Sequence, residues 1–270
     1  MKAIKAHEVG GPEVLRMEDA PIPFPEKGQV LVEVHAASLN PMDAKLLRAD
    51  SSYQQAAGSP LTPGFDLAGA VVEVGEGVKH ICVGDNVYGQ ASVIRKGTGS
   101  FAEYAVTMED CVARMPDNIS FMEAAAVPLA ACSAYQALVE QMQLAAGEKV
   151  LIHGGSGGIG TFAIQLAKHL GAYVATTASG AGLSYAKQLG ADQVIDYERE
   201  EFEKILKDFD AVLDTVGGET YRKSFEVLKK GGLIVSMLSM PDEISMKNYG
   251  VRAVLETTKV DSKKLGKITD

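Results

Sequence analysis

Lys149-Val-Leu-Ile-His-Gly-Gly-Ser-Gly-Gly-Ile-Gly160 is the stretch on which the fold turns. Val150 to His153 is a short apolar run, as in a strand buried on both faces. It leads directly into Gly155-x-Gly157-x-x-Gly160, and Thr161 to Leu170 then follows a helical pattern that stops at Gly171. Glycines are needed here for three reasons: one allows a tight turn, one lets the backbone approach a pyrophosphate, and one lets the helix pack on the strand. The pyrophosphate would rest on the unpaired first-turn N–H groups at the positive end of the helix. Between strand and helix the pattern reads as a dinucleotide-binding fingerprint.

Working outward, strand and helix patterns alternate. Tyr173 to Ala178 is a strand, Leu183 to Leu189 a helix closed by Gly190, and Gln193 to Tyr197 a strand. A charged helix follows over Glu200 to Lys207, then a strand over Ala211 to Val216. Thr220 to Lys229 reads as a helix stopped by Gly231-Gly232, with strands over Leu233 to Met237 and Val251 to Thr257. Right-handed crossovers make a doubly wound parallel sheet the default for this series. Upstream of Pro116 the character differs. Gln29 to His35, Leu67 to Val74 and Asn86 to Gln90 are strand-like, and Gly/Pro turns separate them, which predicts a barrel-like β unit. Ser120-x-x-Glu123 is a capping box that opens an Ala-rich helix, and Ser133 to Met142 is a further helical stretch.

The same glycine loop contains Gly154-x-Ser156-x-Gly158, the pattern of a hydrolase nucleophile elbow. That chemistry needs an acid and then a histidine further along. The only later histidine is His169, within the helix that the loop opens, so the triad cannot be assembled. The second strand of an NAD site normally ends in a carboxylate for the ribose 2′-hydroxyl. Here Ser179-Gly180 follows Ala178 and no acid appears before Asp192. A hydroxyl can donate to a 2′-phosphate that a carboxylate would repel, which favours NADPH. The five histidines have no Cys or His partner at ligand spacing, and His35 and His153 read as structural strand residues, so no metal site is predicted.

Composition narrows the remaining classes. The chain has 270 residues and a net charge of −9, without the basic balance of a nucleic-acid binder. No apolar run approaches the ~18 residues of a membrane helix, and no apolar signal segment is visible. Cys82, Cys111 and Cys132 are few and scattered, as expected of thiols in the cytoplasm.

Four ordered motifs carry a resemblance: Asn40-Pro-Met-Asp-Ala-Lys45, Pro63-Gly-Phe-Asp-Leu-Ala-Gly69, Val83-Gly-Asp-Asn-Val-Tyr-Gly89 and Gly99-Ser-Phe-Ala-Glu-Tyr104. Together they resemble the medium-chain dehydrogenase/reductase superfamily, in its zinc-independent branch of NADPH quinone oxidoreductases (zeta-crystallin-like). The resemblance implies a GroES-like catalytic domain over 1–118, a Rossmann domain over 119–258, and an active site in the cleft between them. It implies that residues 259–270 begin a return to the catalytic domain, and that about fifty residues beyond them are missing from a family-length chain. The zinc-dependent relatives have Cys where Asn40 stands and His where Phe65 stands, so metal-free reduction is implied. Gly154, Gly157, Gly158, Ile159 and Gly160 would cradle the pyrophosphate, and Ser179 and Tyr197 would contact the 2′-phosphate. Ser133, Val216 and Leu238 would lie near the ribose and nicotinamide. Asn40 and Lys45 would donate to the carbonyl oxygen on which charge develops, with Tyr53 as proton source. The implied reaction is hydride transfer from NADPH to a quinone or an α,β-unsaturated carbonyl, in a homodimer paired through the strand Val251–Thr257. A non-catalytic NADPH-binding protein, crystallin-like or sensory, is the alternative.

Overall fold

The computed structural model describes residues 1–48 and 59–269. The chain divides into two units, Met1–Cys132 with Lys259–Asp270, and Ser133–Thr258.

In the first unit β1 (Lys2–Ala6) pairs antiparallel with β2 (Leu15–Asp19). Then come β3 (Gln29–Ala37), α1 (Pro41–Leu46), β4 (Asp66–Val74), β5 (Asn86–Gln90), β6 (Tyr104–Met108) and β7 (Val112–Arg114). These five strands form an antiparallel sheet in the order β6-β3-β4-β5-β7. Val30, Val32, Leu67, Val71, Val87 and Ala105 fill its core. Pro41 sits in the first turn of α1, where its missing N–H costs nothing. Ser120 caps α2 (Phe121–Ala125): its Oγ accepts from Glu123 N, and the Glu123 carboxylate accepts from Ser120 N at 2.8 Å. α2 packs on β3 and β4 and thus belongs to this unit. α3 (Pro128–Tyr135) carries the chain into the second unit and continues as a π-helical turn over Gln136–Gln141.

The second unit follows the predicted alternation: β8 (Lys149–Ile152), α4 (Gly158–His169), β9 (Tyr173–Ala178), α5 (Ala181–Gln188), β10 (Gln193–Asp196), α6 (Phe202–Ile205), β11 (Phe209–Asp214), α7 (Gly218–Lys223), β12 (Leu228–Ser236), α8 (Glu243–Tyr249) and β13 (Arg252–Leu255). All six strands are parallel, in the order β10-β9-β8-β11-β12-β13. The chain starts in the middle, winds outward to β10, and returns beside β8, so the winding direction switches between β8 and β11. Val150, Ile152 and Leu213 pack into one core with Ala163 and Ile164 of α4, whereas Leu151, Val212 and Ile234 face a second core with Phe202 and Phe225. Both faces are covered, which is why these strands read as continuous apolar runs.

Two predicted helices are shorter than expected. The Glu200–Lys207 helix is confined to Phe202–Ile205, with Phe202 and Leu206 anchored in the core. The Thr220–Lys229 helix ends at Lys223, and a 3₁₀ turn, Ser224–Val227, buries Phe225 and Val227. β12 therefore begins at Leu228 and includes Gly231-Gly232, predicted as a helix stop. Pairing with β11 shifts register between Phe209 and Ala211, and Gly231, at φ 83°, falls in the resulting irregularity. After β13 the chain rejoins the first unit in α9 (Ser262–Thr269), where Tyr88 Oη donates to Leu265 O at 2.8 Å.

Candidate functional site

The loop after β8 is built by backbone bonds that leave no room for a side chain at Gly155 and Gly160. Gly155 N donates to Thr177 O at 3.0 Å and Gly157 N to Gly154 O at 3.0 Å. Gly154 has φ 71°, where L side chains are strained. A Cβ on Gly160 would lie 2.2 Å from Gly154 O. The first i→i−4 bond of α4 runs from Thr161 N to Gly157 O, 2.9 Å. The N–H groups of Gly158, Ile159 and Gly160 precede it and have no intrahelical acceptor. The Gly157 cap offers no side chain in their place. Three donors at the positive end of a helix, on a loop with glycine at 154, 155, 157, 158 and 160, fit a pyrophosphate. Gly154 and Gly157 contribute shape, because their own amides are already bonded to Thr177 Oγ1 and Gly154 O.

Beside this loop is a cavity of about 680 Å³, at the carboxyl ends of β8, β9 and β11. His153, Gly154 and Gly157 line it from the loop, Thr177 and Ala178 from β9, and Thr215 and Val216 from beyond β11. The placement is the switch point at which doubly wound sheets take ligands. Asp214, fully buried, fixes the β11 end: its Oδ1 accepts from Val216 N and Gly217 N, and its Oδ2 from Ser236 Oγ. Ser179 Oγ lies 2.8 Å from Tyr197 Oη, and Tyr197 also lines the cavity. Glu200, Glu201 and Glu203 stand on the same rim, each with a partner of its own: Asp196 N, Lys204 and Lys223 respectively. Hydrogen bonds that Lys223 donates to the Glu203 and Glu219 carboxylates raise its pKa to about 12. Burial pushes the His153 imidazole down to about 4, against the pull of Asp214 and Glu203.

Two other expected contacts in this unit lie outside that lining. Ser133 is buried, with its Oγ 2.6 Å from Thr258 Oγ1. Leu238 is half-exposed beyond β12, against Gly217.

The first unit holds a second constellation. Asn40 Nδ2 donates to Asp66 Oδ2 at 3.0 Å and to Ser38 Oγ at 3.2 Å. Both amide hydrogens are thereby used, so Asn40 presents its Oδ1, an acceptor, where the sequence led us to expect a donor. Asp66 is fully buried and also accepts from Gln90 Nε2 and Leu129 N. Burial raises Asp66 to about 6, and Asp43, which accepts from Asn40 N at 2.6 Å, is raised to about 6 for the same reason. Lys45 is exposed in the last turn of α1, and Phe65 is buried. Tyr53 lies outside the described residues. Among the described residues no group of three or more His, Cys, Asp and Glu side chains is placed to hold a metal ion, and no helix is long and apolar enough to cross a membrane.

Sequence reasoning passed over His153, Thr177, Asp214 and Asp66 as site residues. Three of them did leave a signal: His153, Thr177 and Asp214 are polar residues at the carboxyl ends of otherwise apolar strands, where ligands of such sheets bind. Asp66 left none, because Gln90 and Leu129 reach it from distant parts of the chain.

Residues 26–117 match the alcohol dehydrogenase GroES-like domain, and residues 158–261 the zinc-binding dehydrogenase family. The chain is 44% identical over 245 residues to the 2-methylene-furan-3-one reductase of Solanum lycopersicum, covering 87% of this chain and 61% of that one. It is 41% identical over 246 residues to the chloroplastic NADPH-dependent alkenal/one oxidoreductase of Arabidopsis thaliana, covering 88% and 62%. It thus spans about three-fifths of the length of these relatives. The solved structure of the quinone oxidoreductase from Coxiella burnetii superposes with a TM-score of 0.91 at 36% identity, covering 100% of this chain and 86% of that one.

Proposed function

The chain belongs to the medium-chain dehydrogenase/reductase family, and on that premise we propose that it reduces quinones or α,β-unsaturated ketones and aldehydes with NADPH. The observation that carries this reading is the cavity at the switch point. Its glycine loop offers three free helix amides, and its β9 side ends in the Ser179–Tyr197 hydroxyl pair.

When bound, NADPH supplies a hydride to the electron-poor carbon of the conjugated system. The amides of Gly158, Ile159 and Gly160 hold the pyrophosphate, and the Ser179–Tyr197 pair meets the 2′-phosphate, with Tyr197 Oη donating while it accepts from Ser179 Oγ. Ser133, Val216 and Leu238 flank the nicotinamide and its ribose. Asn40 Oδ1 accepts from a hydroxyl, with its amide held by Asp66. Reduction leaves negative charge on the carbonyl oxygen of the substrate. The Lys45 ammonium stabilises that charge, and Tyr53 supplies the proton. The same reading includes a homodimer paired through the outer edge of β13. It places the chain in the cytoplasm, where Cys82, Cys111 and Cys132 remain thiols.

The test is near-ultraviolet absorbance of NADPH or NADH in the presence of a panel of quinones and enones. Consumption of NADPH in preference to NADH, dependent on the acceptor, supports the proposal. Tight NADPH binding without turnover of any acceptor would leave a binding protein in place of the enzyme.

A further inference from the structure

We infer that His153 is a positioning residue for the dinucleotide: its imidazole carries a proton on Nε2 and links the amide of Gly154 to the carbonyl of Thr220 through Thr177 and Ser224. The inference rests on the dinucleotide reading of the cavity, and four hydrogen bonds fix its direction. Ser224 Oγ lies 2.7 Å from Thr220 O. A carbonyl only accepts, so the single hydroxyl proton of Ser224 points there. Ser224 Oγ must then accept from the other neighbour within reach, His153 Nε2 at 3.0 Å, and Nε2 bears the hydrogen. With that hydrogen on Nε2, a neutral ring has a bare Nδ1. Nδ1 accepts from Thr177 Oγ1 at 3.1 Å. Thr177 has then used its only proton, and its oxygen accepts from Gly154 N at 3.2 Å. Every donor and acceptor in the series is satisfied in this one direction.

The surroundings keep the ring neutral. His153 is fully buried, with the Phe202 ring edge-on at 4.6 Å. The charged groups that act on it are Asp214 and Glu203, and Glu203 is itself paired with Lys223. Burial outweighs both carboxylates, so the imidazole stays uncharged until about pH 4. The backbone is tied as well, because Thr215 Oγ1 donates to His153 O at 2.7 Å. His153, Gly154, Thr177, Thr215 and Thr220 all line the cavity. One series of bonds therefore joins the ends of β8 and β9 to α7 and sets the height of the glycine loop from which the phosphate-binding amides follow.

Two measurements on the full chain test this. Nitrogen-15 NMR of the imidazoles, without any cofactor, should show His153 as the neutral Nε2–H tautomer from pH 8 down to about 5. An Nδ1–H tautomer or an imidazolium in that range overturns the inference. NADPH affinity, followed by fluorescence, should fall at least about tenfold in His153→Phe, which keeps a flat ring but loses both polar atoms. His153→Gln has one acceptor and one donor and should recover most of that loss. In turnover, KM for NADPH should rise while kcat stays within about twofold, because the relay touches no reacting atom. A folded His153→Phe protein with the wild-type NADPH affinity overturns the inference. If His153→Phe does not fold, Thr177→Val against Thr177→Ser makes the same comparison, with loss expected only for Val. A wild-type chain that shows the Nε2–H tautomer yet binds no NADPH sinks the dinucleotide reading and the positioning role together. A wild type that binds NADPH with the other tautomer sinks the relay alone.

Discussion

Asn40 illustrates how a partner decides what a side chain can offer. An asparagine has donors and an acceptor to present, and the Asp66 carboxylate, which only accepts, draws the NH₂ group toward itself. Oδ1 remains as the acceptor, at the first turn of α1. On the proposed reading, Lys45 is the cation that meets the developing negative charge. Lys45→Ala should lower kcat about 100-fold, the usual scale for loss of one such group, while NADPH affinity measured by fluorescence is unchanged. The buried carboxylates also carry a pH signature. Asp43 is raised from 3.8 to about 6, so the folded state holds its proton more tightly than the unfolded chain. Its contribution to stability is therefore full below about pH 3.8 and is lost as pH rises through about 6. The unfolding free energy of Asp43→Asn, relative to wild type, should rise by up to about 3 kcal/mol between pH 4 and pH 7 in urea titrations. A difference that does not change with pH would contradict burial of the charged carboxylate.

At the scale of elements, the β8 to α4 turn is specified by its lack of side chains. Gly160→Ala would push a methyl to 2.2 Å from the Gly154 carbonyl oxygen. That contact must displace the loop, and NADPH titration should show binding reduced beyond detection. Gly266, inside α9, has a φ that any residue adopts, and a methyl added there would meet nothing within 4 Å. Gly266→Ala should raise the unfolding free energy by about 0.5–1 kcal/mol, visible as a higher Tm. The parallel sheet was legible in the sequence because β8, β9, β11 and the later part of β12 are apolar on both faces and strand length separates them from helices. The start of β12 was not, because Gly231-Gly232 carries the same signature in a bulge as after a helix. The length of α6 was hidden for a different reason. Its charged residues have helical propensity, but Phe202 and Leu206 are pinned in the core and the chain leaves the helix between them. The glycine loop of the site could be read directly, since its motif is local. The Asn40–Asp66–Gln90–Leu129 group could not, since it joins residues from β4, β5 and α3 that no sequence spacing relates.

For the whole molecule, the two units divide the chemistry. The parallel sheet supplies a glycine loop, a cavity and a hydroxyl pair. The antiparallel sheet supplies an oriented amide and an exposed lysine. The net charge of −9 is no obstacle to an anionic cofactor on the proposed reading, because the phosphates would be met by backbone amides, and the carboxylates on the cavity rim are already bonded within the protein. Hydride reduction of a conjugated carbonyl also has an unambiguous isotopic record. The chain should be incubated with an enone and NADPH carrying deuterium at both C4 positions, and the reduced product analysed by mass spectrometry and NMR. One deuterium on the β-carbon, with a solvent proton on the α-carbon, is the expected result. A product without deuterium, or NADPH left unconsumed across the acceptor panel, would contradict hydride transfer by this chain.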